Sequence, residues 1–295
     1  MKKNLIKIIF TSIIVINLST INTFAIEKGR VTFGVDLTDS QEIQMLKDFD
    51  VSENDVTIDT ITNEDIINQL GLDPNDKSNY EGGCYSSSYV KLTTKGGVKV
   101  ESYNLTEVTS LMLSNALVTS GVTDANIIAG SPFPVTGTSA LSGILKGFEK
   151  AKGEELSLKN KKTAQEEIET TSSLGDEIGQ DEAAKVINDI KTKVIKESPK
   201  NEEEIKNIIN DLLKDYDFQL SEDQKTKINN LMININDLNI DYSVVKDTLK
   251  NVSSQISDAL KESGSALKES GFFQKLVDSI LDFLSGIFSS LKESN

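Results

Sequence analysis

Residues 129–149, AGSPFPVTGTSALSGILKGFE, hold two of the chain's four prolines, Pro132 and Pro134, and continue into an apolar run with helical spacing. A glycine-rich turn that enters a helix can bind an anion through backbone N–H groups, but these glycines follow neither phosphate-loop pattern. The prolines remove two donors and stiffen the chain, while Thr138 or Ser139 can cap the helix without a ligand. The stretch therefore predicts a strand, a rigid turn and a helix. Anion binding stays open only if the start of that helix faces water.

The alternation of strand and helix patterns extends upstream of this unit. Residues 31–36 and 55–60 are typical of short strands, and a capping box at Thr38 predicts the helix between them. Thr62-Asn63-Glu64-Asp65 predicts the capped start of a second short helix. Two later β-rich runs are joined by Lys-Gly-Gly at residues 95–97, which predicts a hairpin. Residues 30–155 are therefore expected to form an α/β domain with helices layered on a mixed sheet.

Strand patterns end near residue 155, and an acidic helical region is predicted over residues 156–258, with apolar stripes that pack the helices together. Asn201, followed by three acids, and a capping box at Ser221 predict two of the helix starts. Residues 237–241, DLNID, open like a calcium loop, but Tyr242 and Thr248 occupy the places where an EF-hand needs Gly and Glu, which favours a helix connection. A tandem repeat, ALKESGS-ALKESGF, predicts a short linker over residues 259–271. The fold class expected is α+β or α/β, a mixed sheet with helices followed by an all-helical region.

The last segment, residues 272–292, is predicted to be an amphipathic helix. Asp278 and Asp282 lie opposite its apolar side and argue against a membrane-spanning helix. We consider three ways to cover the apolar side: docking on the chain's own helices, association with a partner or a second copy, or insertion into lipid. The residues expected to make that contact are Phe273, Leu276, Val277, Ile280, Leu281, Leu284, Ile287, Phe288 and Leu291.

The other end of the chain has the pattern of a cleaved signal peptide over residues 1–25: basic residues, an apolar run and small residues at a cleavage site. The alternative is a transmembrane anchor, but the apolar run is shorter than the roughly 20 residues that a span needs. We therefore expect an exported protein, located outside the cell or at the outer face of the membrane or in the wall.

Composition excludes several classes of function. The formal net charge of −15 disfavours binding to nucleic acid. The chain has no histidine, which excludes Ser-His-Asp and Cys-His catalysis, and Cys84 is its only cysteine, which excludes an intrachain disulfide. The Cys84 thiol is expected to be buried, with pairing between chains as the alternative. No cofactor is expected, and Asp48, Asp50 and Asp55 are only weak candidates for a calcium site.

Four stretches resemble a known family. They are VTFGVDLTDSQEIQMLKDFDV at 31–51, SSSYVKLTTKGGVKVESYNLTEVTSLMLSNAL at 86–117, SGVTDANIIAGSPFPVTGTSALSGILKGFE at 120–149 and LSEDQKTKINNLMININDLNIDYSVV at 220–245. Together they resemble the YpuA-like exported proteins of low-GC Gram-positive bacteria, a family with a domain of unknown function. The resemblance implies an exported protein associated with the cell envelope, and it supplies no catalytic residues.

These observations favour a non-enzymatic binding or scaffolding protein of the cell envelope, attached through its C-terminal helix to an unknown protein, an envelope component or the membrane surface. A carboxylate-dependent hydrolase of envelope polymers is one alternative. A deep pocket with two facing acids, neither paired with Lys or Arg, would favour it. A calcium-dependent adhesion module is the other alternative.

Overall fold

The computed structural model describes residues 28–76, 82–216 and 218–263. Over these residues the strands are β1 (Gly29–Gly34), β2 (Val56–Ile61), β3 (Ser87–Leu92), β4 (Val98–Leu105) and β5 (Ala125–Val135). The helices are α1 (Asp39–Asp48), α2 (Asn63–Leu70), α3 (Ser110–Ser120), α4 (Ala140–Lys152), α5 (Leu158–Ile178), α6 (Gln180–Glu197), α7 (Glu202–Leu213), α8 (Glu222–Asn236) and α9 (Tyr242–Ser263).

The strands form one mixed sheet in the order β2-β1-β3-β5-β4. β1 pairs with β2 in parallel and β4 pairs with β5 in parallel, while β3 lies between β1 and β5 and is antiparallel to both. Four strands therefore run in the same direction and finish on one side, which we call the carboxyl end of the sheet. The predicted fold class, a mixed sheet with helices followed by a helical region, is confirmed.

The predicted hairpin between β3 and β4 is wrong, because β5 lies between these two strands. Gly96 and Gly97 do have the positive φ angles, 106° and 71°, that tight turns need. The turn is tied to β5 instead: the Gly97 N–H donates to Asp124 Oδ1 at 2.9 Å, and the Gly97 carbonyl accepts from the Ala125 N–H at 3.3 Å. The Lys-Gly-Gly sequence specifies a turn but not the strand that pairs beyond it.

Helices cover both faces of the sheet. On one face, Met45 and Phe49 at the end of α1 are buried against aromatic residues of β3 and β4. On the other face, α3 and α4 pack on valine and isoleucine side chains. The approach of α4 is close, since a Cβ on Gly147 would lie 3.0 Å from Thr32 Oγ1 of β1. The sheet and these helices enclose the first hydrophobic core.

Helices α5 to α9 enclose a second core, as the apolar stripes predicted. Predicted caps are confirmed at two helix starts, where Asn201 accepts from the Glu204 N–H at 3.0 Å and Ser221 accepts from the Gln224 N–H at 3.2 Å. The last helix of the described residues, α9, continues to Ser263, which lies inside the predicted 259–271 linker. No helix within the described residues is long and apolar enough to cross a membrane.

Helix α9 joins the two cores. Val245 and Leu249 pack in the second core, whereas Val252 packs in the first. Between them, Thr248 Oγ1 accepts a hydrogen bond from the Val98 N–H at 3.0 Å and donates one to the Thr123 carbonyl at 3.2 Å. The end of the helical region is therefore fastened to the first strand residue of β4.

Candidate functional site

The carboxyl end of the sheet is the first place to look for a ligand, because α/β sheets bind ligands beyond the carboxyl ends of their strands. Helices α1 to α4 each follow one of the four co-directional strands, so their N-termini also lie at this end. N-termini favour anions. Whether this end is open to a ligand depends on the segment that enters β3.

The segment before β3, around Cys84, blocks the carboxyl end of the sheet at β1 and β2. The Cys84 N–H donates to Asp36 Oδ2 at 2.6 Å, the Asp36 N–H donates back to the Cys84 carbonyl at 3.2 Å, and Cys84 Sγ donates to the Ile61 carbonyl at 3.4 Å. A Cβ on Gly34 would overlap the Cys84 carbonyl, so glycine is needed for this contact. The backbone of residue 84 thus occupies the place where a ligand would sit.

The Cys84 thiol is only 1% exposed, as expected for an unpaired cysteine. Burial raises the pKa of this thiol, and the nearby Asp36 carboxylate raises it further. A raised pKa keeps the group as the neutral thiol, which is a poor nucleophile. Cys84 therefore has the environment of a packing residue.

The structure also resolves the alternative interpretations of residues 129–149. Strand β5 runs through Pro132 and Pro134 to Val135, beyond the start of its neighbour β3, where no ladder donor is needed. Ser139 is the N-cap of α4, but its side chain makes no capping hydrogen bond, and the Ala140 N–H bonds to the Gly137 carbonyl at 3.0 Å instead. The first turn of α4 is buried. The buried first turn therefore gives no support to an anion site at this helix, although Thr138 just before it is exposed.

An ion pair lies where β2 meets α2. Lys146 Nζ donates to Asp65 Oδ2 and to the Thr60 carbonyl, both at 2.8 Å. Asp65 also accepts from the Thr62 N–H at 2.9 Å in the predicted capping box. Partial burial alone would raise the pKa of Asp65, but the hydrogen bonds from Lys146 and Thr62 outweigh it and hold that pKa below its usual value. The lysine stays engaged with structural partners.

The weak metal candidates are not brought together as a ligand set. Asp48 ends α1 and accepts from Gln44 Nε2 at 2.7 Å, Asp50 has a left-handed backbone with φ 52°, and Asp55 ends a short 3₁₀ turn before β2. Over the described ranges, no group of three or more Asp, Glu or Cys residues is arranged to hold a metal ion.

A buried ion pair that the sequence patterns did not reveal connects the two cores. Lys191 Nζ of α6 lies 2.6 Å from Glu167 Oε1 of α5 and donates to the Asn115 carbonyl of α3 at 2.7 Å. Thr119 of α3 donates to the second oxygen of Glu167. Both charged side chains are at most 1% exposed. Burial lowers the pKa of Lys191, against the opposing effect of Glu167.

The only sequence indication of this pair was its position beside apolar stripes. Lys191 follows Ile190 on α6, and Glu167 precedes Ile168 on α5, so each charge stands next to a core-facing residue. Because no substrate can reach groups that are buried this deeply, the pair holds helices together and does not face a ligand.

A cavity of about 170 Å³ lies between the C-terminal ends of α6 and α8. Two of its lining residues, Ser198 and Asn239, have left-handed backbones with φ of 47° and 51°. Asn239 belongs to the DLNID stretch, which forms the predicted helix connection. The described residues that line the cavity, none of them ionisable, are Ile195, Ser198, Pro199, Ile235, Asn236, Asn239 and Ile240. The cavity gives no support to the hydrolase alternative, which needs two facing acids.

Several predictions lie outside the described residues. The signal peptide over residues 1–25 and the amphipathic segment over residues 272–292 are among them, with all nine of its expected contact residues from Phe273 to Leu291. They stay predictions from the sequence pattern.

Comparison with known proteins agrees with the resemblance found in the sequence. The model of one protein family, described as "Protein of unknown function (DUF1002)", matches residues 33–252. The chain is 33% identical over 266 residues to the "Uncharacterized protein YpuA" of Bacillus subtilis strain 168, and the alignment covers 89% of each protein. No solved structure matches the chain.

Proposed function

The chain belongs to the DUF1002 family of unknown function, and from this premise we propose that it is an exported, envelope-associated protein that works by binding or scaffolding. Export rests on the signal-peptide pattern of residues 1–25. The body that would be exported is the pair of joined cores described above.

The observation that carries the proposal is the environment of the thiol and of the buried or paired carboxylates. The single thiol is buried and hydrogen-bonded to the backbone, and the most deeply buried carboxylate, Glu167, is neutralised by Lys191. Asp59, Asp65 and Glu149 are each paired with an arginine or a lysine at 2.8 Å. Catalytic acids and bases need a perturbed pKa together with access to substrate. These groups hold the fold together instead.

Attachment is assigned to the segment that follows α9. The sequence predicts an amphipathic helix there with nine large residues on its apolar side, and a surface of that kind is seldom left in water. Helix α9 is hydrogen-bonded to β4 through Thr248. A pulling force on the C-terminal segment would therefore be transmitted through α9 to the sheet. In this proposal the segment holds the body at the outer face of the membrane, where it meets its partners.

The test is to delete residues 272–295 and to fractionate cells of a Gram-positive host that exports the chain. We expect the full-length chain in the membrane fraction and the truncated chain in the wall or medium. A matched control deletes residues 264–270, one repeat in length, which shortens the linker but keeps the apolar segment. If the chain that lacks residues 272–295 stays with the membrane as the control does, the attachment role is wrong.

A further inference from the structure

Within the described parts of the chain, the outer edge of β2 is an unpaired strand edge. β2 pairs only with β1, and neighbouring residues of a strand direct their backbone groups to opposite sides. The Ile61 carbonyl accepts from the Val35 N–H on the β1 side at 3.0 Å, so Thr57, Asp59 and Ile61 face β1. The backbone groups of Val56, Ile58 and Thr60 therefore point outward.

Of these outward groups, one has a partner: the Thr60 carbonyl accepts from Lys146. No described residue makes a hydrogen bond with the N–H or carbonyl of Ile58 on this side. The side chain of Ile58 is 39% exposed. The middle of β2 thus offers an open ladder site beside an exposed apolar side chain.

The opposite edge of the sheet, along β4, is covered where it begins. Helix α9 lies against β4, and Thr248 accepts the Val98 N–H at 3.0 Å. Asn251 Nδ2 donates to the Gly96 carbonyl just before that strand. Open strand edges invite pairing with other chains, and proteins usually cover them. Within the described residues, α9 covers the start of the β4 edge at Gly96 and Val98, whereas the outward groups of Ile58 in the middle of β2 have no such partner.

Charges around β2 indicate which kind of chain would pair there. Asp59 and Asp65 are neutralised by Arg30 and Lys146. The exposed acids Glu53, Asp55 and Glu64 flank the strand and form no ion pair with a described residue. The nearby exposed Lys28 donates to the Asn54 carbonyl at 2.7 Å. A basic segment is favoured by this arrangement, and a second copy of a chain with net charge −15 is disfavoured.

We propose that β2 binds an extended, basic segment of another protein by strand addition, with an apolar side chain of the segment beside Ile58 and its basic side chains near the flanking acids. Main-chain hydrogen bonds supply affinity in this mode, and alternate side chains supply selectivity. The inference names a partner class for the binding role proposed above. It does not depend on the C-terminal segment, so failure of membrane attachment would leave it standing.

The test is hydrogen exchange of the full-length chain with a synthetic alternating peptide, (Lys-Val)₄ with blocked ends. We expect the peptide to slow exchange of the Ile58 and Thr60 amides at least tenfold, and to leave the Val98 amide unchanged. The control peptide (Lys-Pro)₄ carries the same charge but lacks half of the N–H donors, and (Glu-Val)₄ keeps the ladder groups but reverses the charge. Neither control peptide should protect Ile58.

Variants of the chain complete the design. Ile58→Pro removes the outward N–H without removing a β1 hydrogen bond, and we expect it to weaken binding of (Lys-Val)₄ at least tenfold. Ile58→Thr keeps the N–H and serves as the second variant if proline unfolds the protein; it should retain protection of the Thr60 amide. Equal protection by (Lys-Val)₄ and (Lys-Pro)₄, or no protection by either, would overturn the proposal. Protection that rises with protein concentration without peptide would assign the edge to a second copy instead.

Discussion

Replacing Lys191 with methionine is the perturbation whose consequence the structure predicts most sharply. The methionine keeps most of the aliphatic stem but removes the charge that lies 2.6 Å from Glu167 Oε1. The Glu167 side chain, 1% exposed, then loses its opposite charge and keeps the Thr119 hydroxyl as its partner among the described residues. Breaking a buried pair from one side costs about 3–5 kcal/mol. That is a large share of the about 5–15 kcal/mol by which folded domains are usually stable.

A double-mutant cycle separates the pair from its surroundings. In Glu167→Met/Lys191→Met both charges are gone, and apolar replacement of a buried pair is often close to neutral. The Thr119 hydroxyl and the Asn115 carbonyl still lose a partner. Each buried polar group left unsatisfied lowers the free energy of unfolding by about 1–3 kcal/mol. The double variant should therefore be more stable than Lys191→Met alone, yet less stable than the natural chain.

The assay is urea denaturation of the mature chain followed by far-UV circular dichroism. The matched control is Lys206→Met, which removes a half-exposed lysine paired with Glu202 on α7 and should cost no more than about 0.5 kcal/mol. If Lys191→Met costs no more than the control, or if the double variant costs more than the two single variants together, the buried network is not what joins the two cores.

Three further predictions concern individual groups. Because the pKa of Asp65 is lowered in the folded chain, its contribution to stability is present above the usual value of 3.8 and is lost as the pH falls through the lower value of the folded state. Urea denaturation should therefore show that Asp65→Asn costs more stability at about pH 6 than at about pH 3. An equal cost at both pH values would contradict the lowered pKa. The Cys84 thiol should resist iodoacetamide in the folded chain and react at once in urea, so rapid alkylation without denaturant would show that the carboxyl end of the sheet is open. Thr248→Val leaves the Val98 N–H unsatisfied and should lower the free energy of unfolding by about 1–3 kcal/mol. The control Thr226→Val, at an exposed hydroxyl of α8, should lower it much less. Similar decreases in stability for the two variants would mean that α9 is not fastened at this point.

Local patterns predicted the element types well because their causes are local. The capping boxes at Thr38 and Thr62 and the caps at Asn201 and Ser221 lie within three residues of the donors they satisfy. The apolar stripes of the helical region likewise marked the second core, since a stripe on one helix must be covered by another. The DLNID stretch was correctly interpreted as a helix connection, because the Gly and Glu that an EF-hand needs after it are absent.

Local sequence patterns did not predict which distant elements pack or pair with each other. The turn at Gly96 and Gly97 predicted a β3–β4 hairpin, but its hydrogen bonds go to Asp124 and Ala125, which no local pattern indicates. Thr119, Glu167 and Lys191 are separated by dozens of residues, and only the packing of three helices brings them together. The open edge of β2 is equally a property of strand order, which periodicity does not determine.

The central claim, that the apolar side of the C-terminal segment attaches a binding protein to the envelope, is tested most directly by placing charges on that side. Ile280→Asp/Leu284→Asp puts two carboxylates among the apolar residues, and Ser285→Asp/Ser289→Asp adds the same charge on the opposite side. Quantitative immunoblotting of cell fractions should find the first variant released from the membrane and the second retained with the natural chain. Equal retention of both variants would contradict the claim.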